Sequence, residues 1–247
     1  YELKPRTTAF YNMPAIIYYS QRLFILVIIS ILISDFISGE QEASTIKMLL
    51  TKPVLRGKIL LSKFIAGIIS TNGIILSLQL LTFVLIGLFY TLGNPNTPFA
   101  LGTLYEIDYN LVLQGKRAIS PIVGSSIIIP AYQVIIQLLL MQTLLISACV
   151  AFCLMISTIF KSNVASTSVV FFLLIISWIV TFNTTDTFKQ VVGRTTITQK
   201  FIPYIFSSYF DTFSTLVGNF SYNLMNPIAT KGLFIVVCIA WIILCYG

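Results

Sequence analysis

The sequence predicts an all-α membrane protein, a polytopic helical bundle, on three observations. Hydrophobic residues fill 57% of the 247 positions and charged residues only 9%, against roughly 25% charged in soluble domains. Five apolar runs come near or exceed the roughly 20 residues that cross a hydrocarbon core of about 30 Å. Short basic connectors alternate with longer polar ones between those runs, as they do in a chain that crosses a bilayer repeatedly.

Taken in order, the spans are expected at about 14–34, 64–90, 132–160, 164–182 and 232–247, all within one transmembrane domain covering 1–247. The run at 132–160 is longer than one crossing needs, which implies a tilt, a kink or an interfacial lead-in. The chain opens at Tyr1 without an initiator Met or a signal-peptide pattern, and closes at Gly247 inside an apolar run. Both ends look cut, so a sixth helix is expected before Tyr1.

Connector charge sets the orientation. Residues 35–63 and the turn at Lys161 carry six basic residues, Lys47, Lys52, Arg56, Lys58, Lys63 and Lys161, whereas residues 1–13, 91–131 and 183–231 dilute eight over a far longer stretch. Basic density close to the spans is roughly threefold higher on the short side, which places that side in the cytoplasm. The loops 91–131 and 183–231 then lie outside. A net charge of +7 spread between apolar runs builds no compact basic and aromatic surface, so nucleic acid is not an expected partner.

Residues 38–64, SGEQEASTIKMLLTKPVLRGKILLSKF, are the richest stretch. Ser38 followed by Gln41 forms a capping box, each side chain satisfying a backbone donor at a helix start. Glu40 and Glu42 fall in the first turn, at the positive end of the helix dipole. Ala43, Ile46, Leu49 and Leu50 recur at helical spacing and give one apolar face, with Lys47 elsewhere. Pro53 disfavours helix at Lys52 and suits the start of the next helix. Such a helix either lies on the inner membrane face among anionic lipids, or seats its apolar face in a groove of a cytoplasmic partner and passes movement into the spans.

This passage resembles the signature of ABC type two exporter permeases, in which an acidic GE motif leads into a coupling helix and a Thr, Leu-Leu, Thr or Ser, basic, Pro and Arg series precedes the next span. The matching positions are Gly39, Glu40, Thr45, Leu49, Leu50, Thr51, Lys52, Pro53 and Arg56. The resemblance covers about 30 residues by motif, and the spacing of later spans extends it more weakly. It implies that Glu42 and Ile46, with the matched residues, contact a nucleotide-binding subunit that hydrolyses ATP, with Lys161 as a second cytoplasmic contact. ATP and Mg would sit on that ATPase, and none of it on this chain, which has no GxxxxGK[ST] phosphate loop. A second permease copy or paralogue and membrane lipids are the other expected partners.

Arg22 lies in the first run, where a buried charge is a functional candidate. It either snorkels at the outer interface or lines the path. In the last outer connector Phe206, Tyr209, Phe210, Phe213 and Val217 repeat at helical spacing after Pro203. They form either an interfacial aromatic belt or, as the resemblance implies, short re-entrant helices that close the outer end of the path. The loop 91–131, with four prolines, is too polar to span and names no ligand. Sequons at Asn183 and Asn219 matter only where secreted loops are glycosylated.

Catalysis has little support: His is absent, no span holds a pair of carboxylates, and Cys149 and Cys153 lack further metal ligands. All four cysteines lie in apolar runs and behave as small apolar residues. Ser147, Ala148 and Ala151 form a small-residue stripe suited to close helix packing, including packing between two permeases. The expected function is the membrane-spanning permease of an ATP-driven exporter for a peptide or lipid-like substrate. An ion-coupled transporter or channel without an ATPase is the alternative, and a purely structural role a third. Abundant Ile, Asn, Lys and Tyr point to an AT-rich bacterial gene and a plasma-membrane location, where related permeases often export antimicrobial peptides.

Overall fold

The computed structural model describes residues 8–21, 28, 29, 32, 56–113, 116–160, 162–188, 201–224 and 226–246. Among these, seven α-helices dominate: α1 (Ala9–Ser20), α2 (Arg56–Phe89), α3 (Ala131–Ile159), α4 (Asn163–Phe188), α5 (Thr212–Val217), α6 (Asn219–Leu224) and α7 (Lys231–Tyr246). Two of them, over Gly57–Phe89 and Ala131–Ile159, are long and apolar enough to cross a membrane, and Val164–Ile176 and Lys231–Cys245 are shorter apolar helices. At 1.5 Å per residue α3 is about 43 Å long and α2 about 50 Å, so both outrun a 30 Å hydrocarbon core.

Helix α1 starts ahead of the expected boundary near Pro14, because Thr8 caps it: the Thr8 side chain accepts from the Tyr11 amide. Its first amides then donate to the end of α2, Ala9 N to Thr91 O at 2.9 Å and Phe10 N to Leu92 O at 3.2 Å. The start of α3 is tied to the same end, Ala131 N donating to Thr97 O and Tyr132 N to Pro95 O. Three helix ends therefore meet at one end of the bundle. A small cavity of about 80 Å³ at the opposite end is lined by Leu60, Ala151 and Cys245, which brings together the start of α2 and the ends of α3 and α7. The long helices thus alternate in direction.

The loop 91–131 corrects the all-α expectation. It holds four strands: β1 (Pro98–Leu101), β2 (Tyr105–Leu113), β3 (Lys116–Pro121) and β4 (Ile127–Pro130). β2 pairs antiparallel with β3, and β1 pairs antiparallel with β4 around them, Pro98 opposite Pro130 and Leu101 opposite Ile127. The β-branched run at 127–129 favours extended backbone, the prolines stand at strand ends where a missing N–H costs no ladder bond, and Gly102 and Gly124 take φ of 75° and 79° at the turns. Polarity identified the loop, but the nested pairing depends on partners 32 residues apart. We call this the strand end of the molecule.

Helix α3 is the axis of the bundle. Its most apolar window is 61% buried against 11% for α2, so α3 is surrounded by the chain and α2 lies at its edge. Among the described helices the most extensive pairing is α3 with α7, which includes edge-to-face contact of Phe152 with Trp241. Ser147, Ala148 and Ala151 are buried in this interior, so the small-residue stripe packs within the chain. The outer face of α2, with Leu80, Leu81, Leu88 and Phe89 exposed, is of the composition that acyl chains accept.

The strands are fastened to α5 through backbone. Gly102 N donates to Leu216 O and Thr103 N to Val217 O, both at 3.0 Å, and Gly218 closes α5 with φ 103°. A Cβ at Gly218 would stand 2.1 Å from Thr103 O, whereas one at Gly102 meets open space despite its φ of 75°. Gly218→Ala is therefore expected to destabilise the purified chain by about 2 kcal/mol or more, and Gly102→Ala by about 1 kcal/mol. Thermal unfolding of the two variants side by side checks the order.

Candidate functional site: a buried amide layer beneath the strand end

Three glutamines and two hydroxyls meet in the interior of the bundle. Gln21, Gln142 and Thr212 are fully buried, and Gln79 and Ser20 nearly so. Gln79 Nε2 donates to Ser20 Oγ at 2.6 Å and to Gln142 Oε1 at 2.8 Å, and Gln142 Nε2 donates to Gln79 Oε1 at 3.4 Å. Gln21 Nε2 donates to Gln142 Oε1 at 3.2 Å. The Gln21 oxygen in turn accepts two bonds from Thr212, from Oγ1 at 2.8 Å and from the backbone N–H at 3.4 Å. One network thereby joins the ends or middles of α1, α2, α3 and α5.

Each of the long helices brings its polar group to the same level. Ser20, Gln79 and Gln142 stand 11, 10 and 11 residues from the strand-end terminus of their helices, about 15 Å at 1.5 Å per residue. That is half of a 30 Å hydrocarbon core. Thr212, which belongs to the segment between α4 and α7, reaches this level as well. A second polar contact lies deeper between α2 and α3, where Thr143 Oγ1 donates to Asn72 Oδ1 at 3.2 Å.

Local sequence explains how Thr212 gets there. The chain from Phe201 turns through two 3-10 segments, Ile202–Tyr204 and Phe206–Tyr209, and restarts as α5 because the Asp211 side chain accepts from the Ser214 amide at 2.9 Å. Aromatic rings clamp it. Phe206 packs on Phe152 at 5.5 Å and on Trp241 at 5.3 Å between centroids, and Trp241 Nε1 donates to Tyr204 O at 3.0 Å. Tyr209 packs on Phe220 and Phe234 at 4.9 and 5.2 Å while its Oη donates to Pro203 O at 2.7 Å.

Of the residues the sequence singles out, Phe206, Tyr209 and Phe210 are buried and Phe213 is half-buried against the same core. Their rings pack against the chain's own interior. The helical spacing from Phe206 to Val217 breaks at Asp211, where the new cap begins. Gly39, Glu40, Glu42, Thr45, Ile46, Leu49, Leu50, Lys52, Pro53, Arg22 and Lys161 lie outside the described residues, and Arg56 is described only as the first residue of α2. Among the described residues no group of acidic, Cys or His side chains is placed to hold a metal ion.

Sequence reasoning missed Gln79, Gln142 and Thr212. The available signal was the presence of amide side chains, Asn72 and Gln79 in one apolar run and Gln133, Gln137 and Gln142 in another, each of which in hydrocarbon demands a partner. A wider cavity of about 290 Å³ lies at the strand end above this layer, lined by Leu101, Gln137, Thr215, Leu216, Gly218 and Lys231.

The sequence matches the family model described as ABC-2 family transporter protein over residues 9–247. No curated protein and no solved structure matches the chain.

Removing one glutamine leaves its neighbours' donors or acceptor buried without a partner, which costs about 1–2 kcal/mol. Gln79→Leu and Gln142→Leu should each destabilise by that amount, and the double variant by about 1 kcal/mol less than the sum. Unfolding of the four proteins in detergent measures this coupling, and strict additivity would contradict the network.

Proposed function

The chain belongs to the ABC-2 transporter family, and from that premise we propose that it is the membrane-spanning permease subunit of an ATP-driven exporter whose ATPase is a separate polypeptide. The observation that carries the reading is family membership over residues 9–247, joined to the sequence of the segment 38–63, whose acidic residues and capping-box pattern fall between the first two apolar runs. A helix there is covalently held by the two helices that bring Ser20, Gln21 and Gln79 to the amide layer. Glu40 and Glu42 present charge to a nucleotide-binding subunit, Ile46, Leu49 and Leu50 fill its groove, and Lys52, Pro53 and Arg56 set the angle at which α2 leaves. Lys161, between α3 and α4 in sequence, is the second cytoplasmic contact in this reading.

In this reading the strand end faces outward, as connector charge predicts. Phe206, Tyr209, Phe210 and Phe213 belong to a plug that closes the outer end of the path. ATP and Mg act on the partner. The chain itself contributes no bond-breaking chemistry; it supplies a route and a gate. The path forms between this permease and a second copy or paralogue, and its apolar surroundings suit a lipid-like or hydrophobic peptide substrate. The bacterial plasma membrane is the proposed location.

Replacing Glu40 and Leu49 together with Ala should leave the protein in the membrane and lower ATP-driven export by about tenfold or more, since both the charge and the apolar anchor of the contact are lost. Vesicle transport measured with the co-purifying ATPase reads this. Unchanged export in the double variant would rule the assignment out.

A further inference from the structure

We propose that the bond pair from Thr212 to Gln21 is a latch that holds the outer plug shut, and that the three glutamines are positioning residues which release it when α1 and α2 move against α3. This rests on the exporter reading for the direction of movement. The geometry assigns the parts. Gln142 stands on α3, the buried axis; Ser20, Gln21 and Gln79 stand on α1 and α2, which leave toward the segment 38–55; Thr212 starts the short helix of the plug.

Gln21 is the pivotal residue because both ends of its amide are engaged by different bodies. Its nitrogen donates to Gln142 on the axis and its oxygen accepts from Thr212 on the plug. Any shift of α1 relative to α3 that carries Gln21 away breaks bonds to both. A network built of amides and hydroxyls suits this task better than ion pairs do. Each amide both donates and accepts, so partners exchange without exposing a naked charge to hydrocarbon. Toward α7 the plug is held by the Trp241 Nε1 bond to Tyr204 O at 3.0 Å, on the 3-10 segment that precedes α5, and by aromatic rings that can slide. Release at Thr212 therefore frees α5 to swing on its backbone bonds to Gly102 and Thr103.

The test uses the purified full chain in lipid nanodiscs, with no ATPase, so it stands apart from any failure of the exporter assignment. Thr215, one turn along α5 and only 2% exposed, lines the strand-end cavity. Thr215→Cys reports its exposure to a water-soluble maleimide, and the buried native Cys153 reports the state of α3. Adding Thr212→Val should raise the labelling rate at position 215 by about tenfold with Cys153 still protected, while Thr212→Ser, which keeps the hydroxyl, should leave it slow. A rate unchanged by Thr212→Val would overturn the latch. So would equal acceleration by Thr212→Ser, or parallel labelling of Cys153, which would mean that the hydroxyl merely supports the whole bundle.

Discussion

A polar group in hydrocarbon has no water to turn to, and an unpartnered amide there costs several kcal/mol. The rest of this structure follows from how that demand is met at one level. Gln79 and Gln142 sit on helices with no charged residue nearby in sequence, and each carries two hydrogens and an oxygen that must be satisfied. Among the described residues they are satisfied by one another, by Ser20 at the end of α1 and by Gln21, which follows it. Register between α1, α2 and α3 is thereby fixed more sharply than apolar packing could fix it, since leucine faces slide at little cost and hydrogen bonds do not. Among the described residues the one buried side-chain polar atom without a partner is Thr71 Oγ1, on α2.

The same demand explains the shape of the segment between α4 and α7. Gln21 Oε1 needs a donor, and Thr212 supplies two. To deliver them the chain must enter the bundle, which it does as short turns whose own backbone groups are capped by Asp211, Ser208 and Tyr209. The strands then hold α5 from above through Gly102 and Thr103, at a contact so close that only a glycine fits at position 218. Layer, plug and strand arm form one continuous structure, from the middle of the bundle to its strand end.

Much of this was legible in the sequence and some was not. Apolar runs near the bilayer length announced the long helices, since hydrocarbon imposes both length and composition. Boundaries were less legible: α1 begins at its Thr8 cap and not at Pro14, because a cap acts over three residues whereas hydropathy averages over many. The aromatic spacing after Pro203 marked a buried segment, yet not its 3-10 geometry, which is set by contact with Phe152, Trp241 and Phe234. The strand pairing and the amide layer were illegible for a shared reason. Residues 21, 79, 142 and 212 become neighbours only through tertiary packing, and each alone looks like an ordinary polar residue in an apolar run. The residues with the strongest motif, 39–53, lie outside the described residues, so their role stands on the sequence and on family membership.

With the proposed latch, work done at the segment between α1 and α2 reaches the plug through the amide layer. The most direct measurement is the exposure of a Thr215→Cys thiol in membranes containing the chain and its ATPase, followed through addition of ATP. Exposure that rises with ATP in the native sequence, and no longer responds when Gln21 is replaced by Leu, is the predicted result. Exposure indifferent to ATP, while ATP-driven export proceeds, would contradict it.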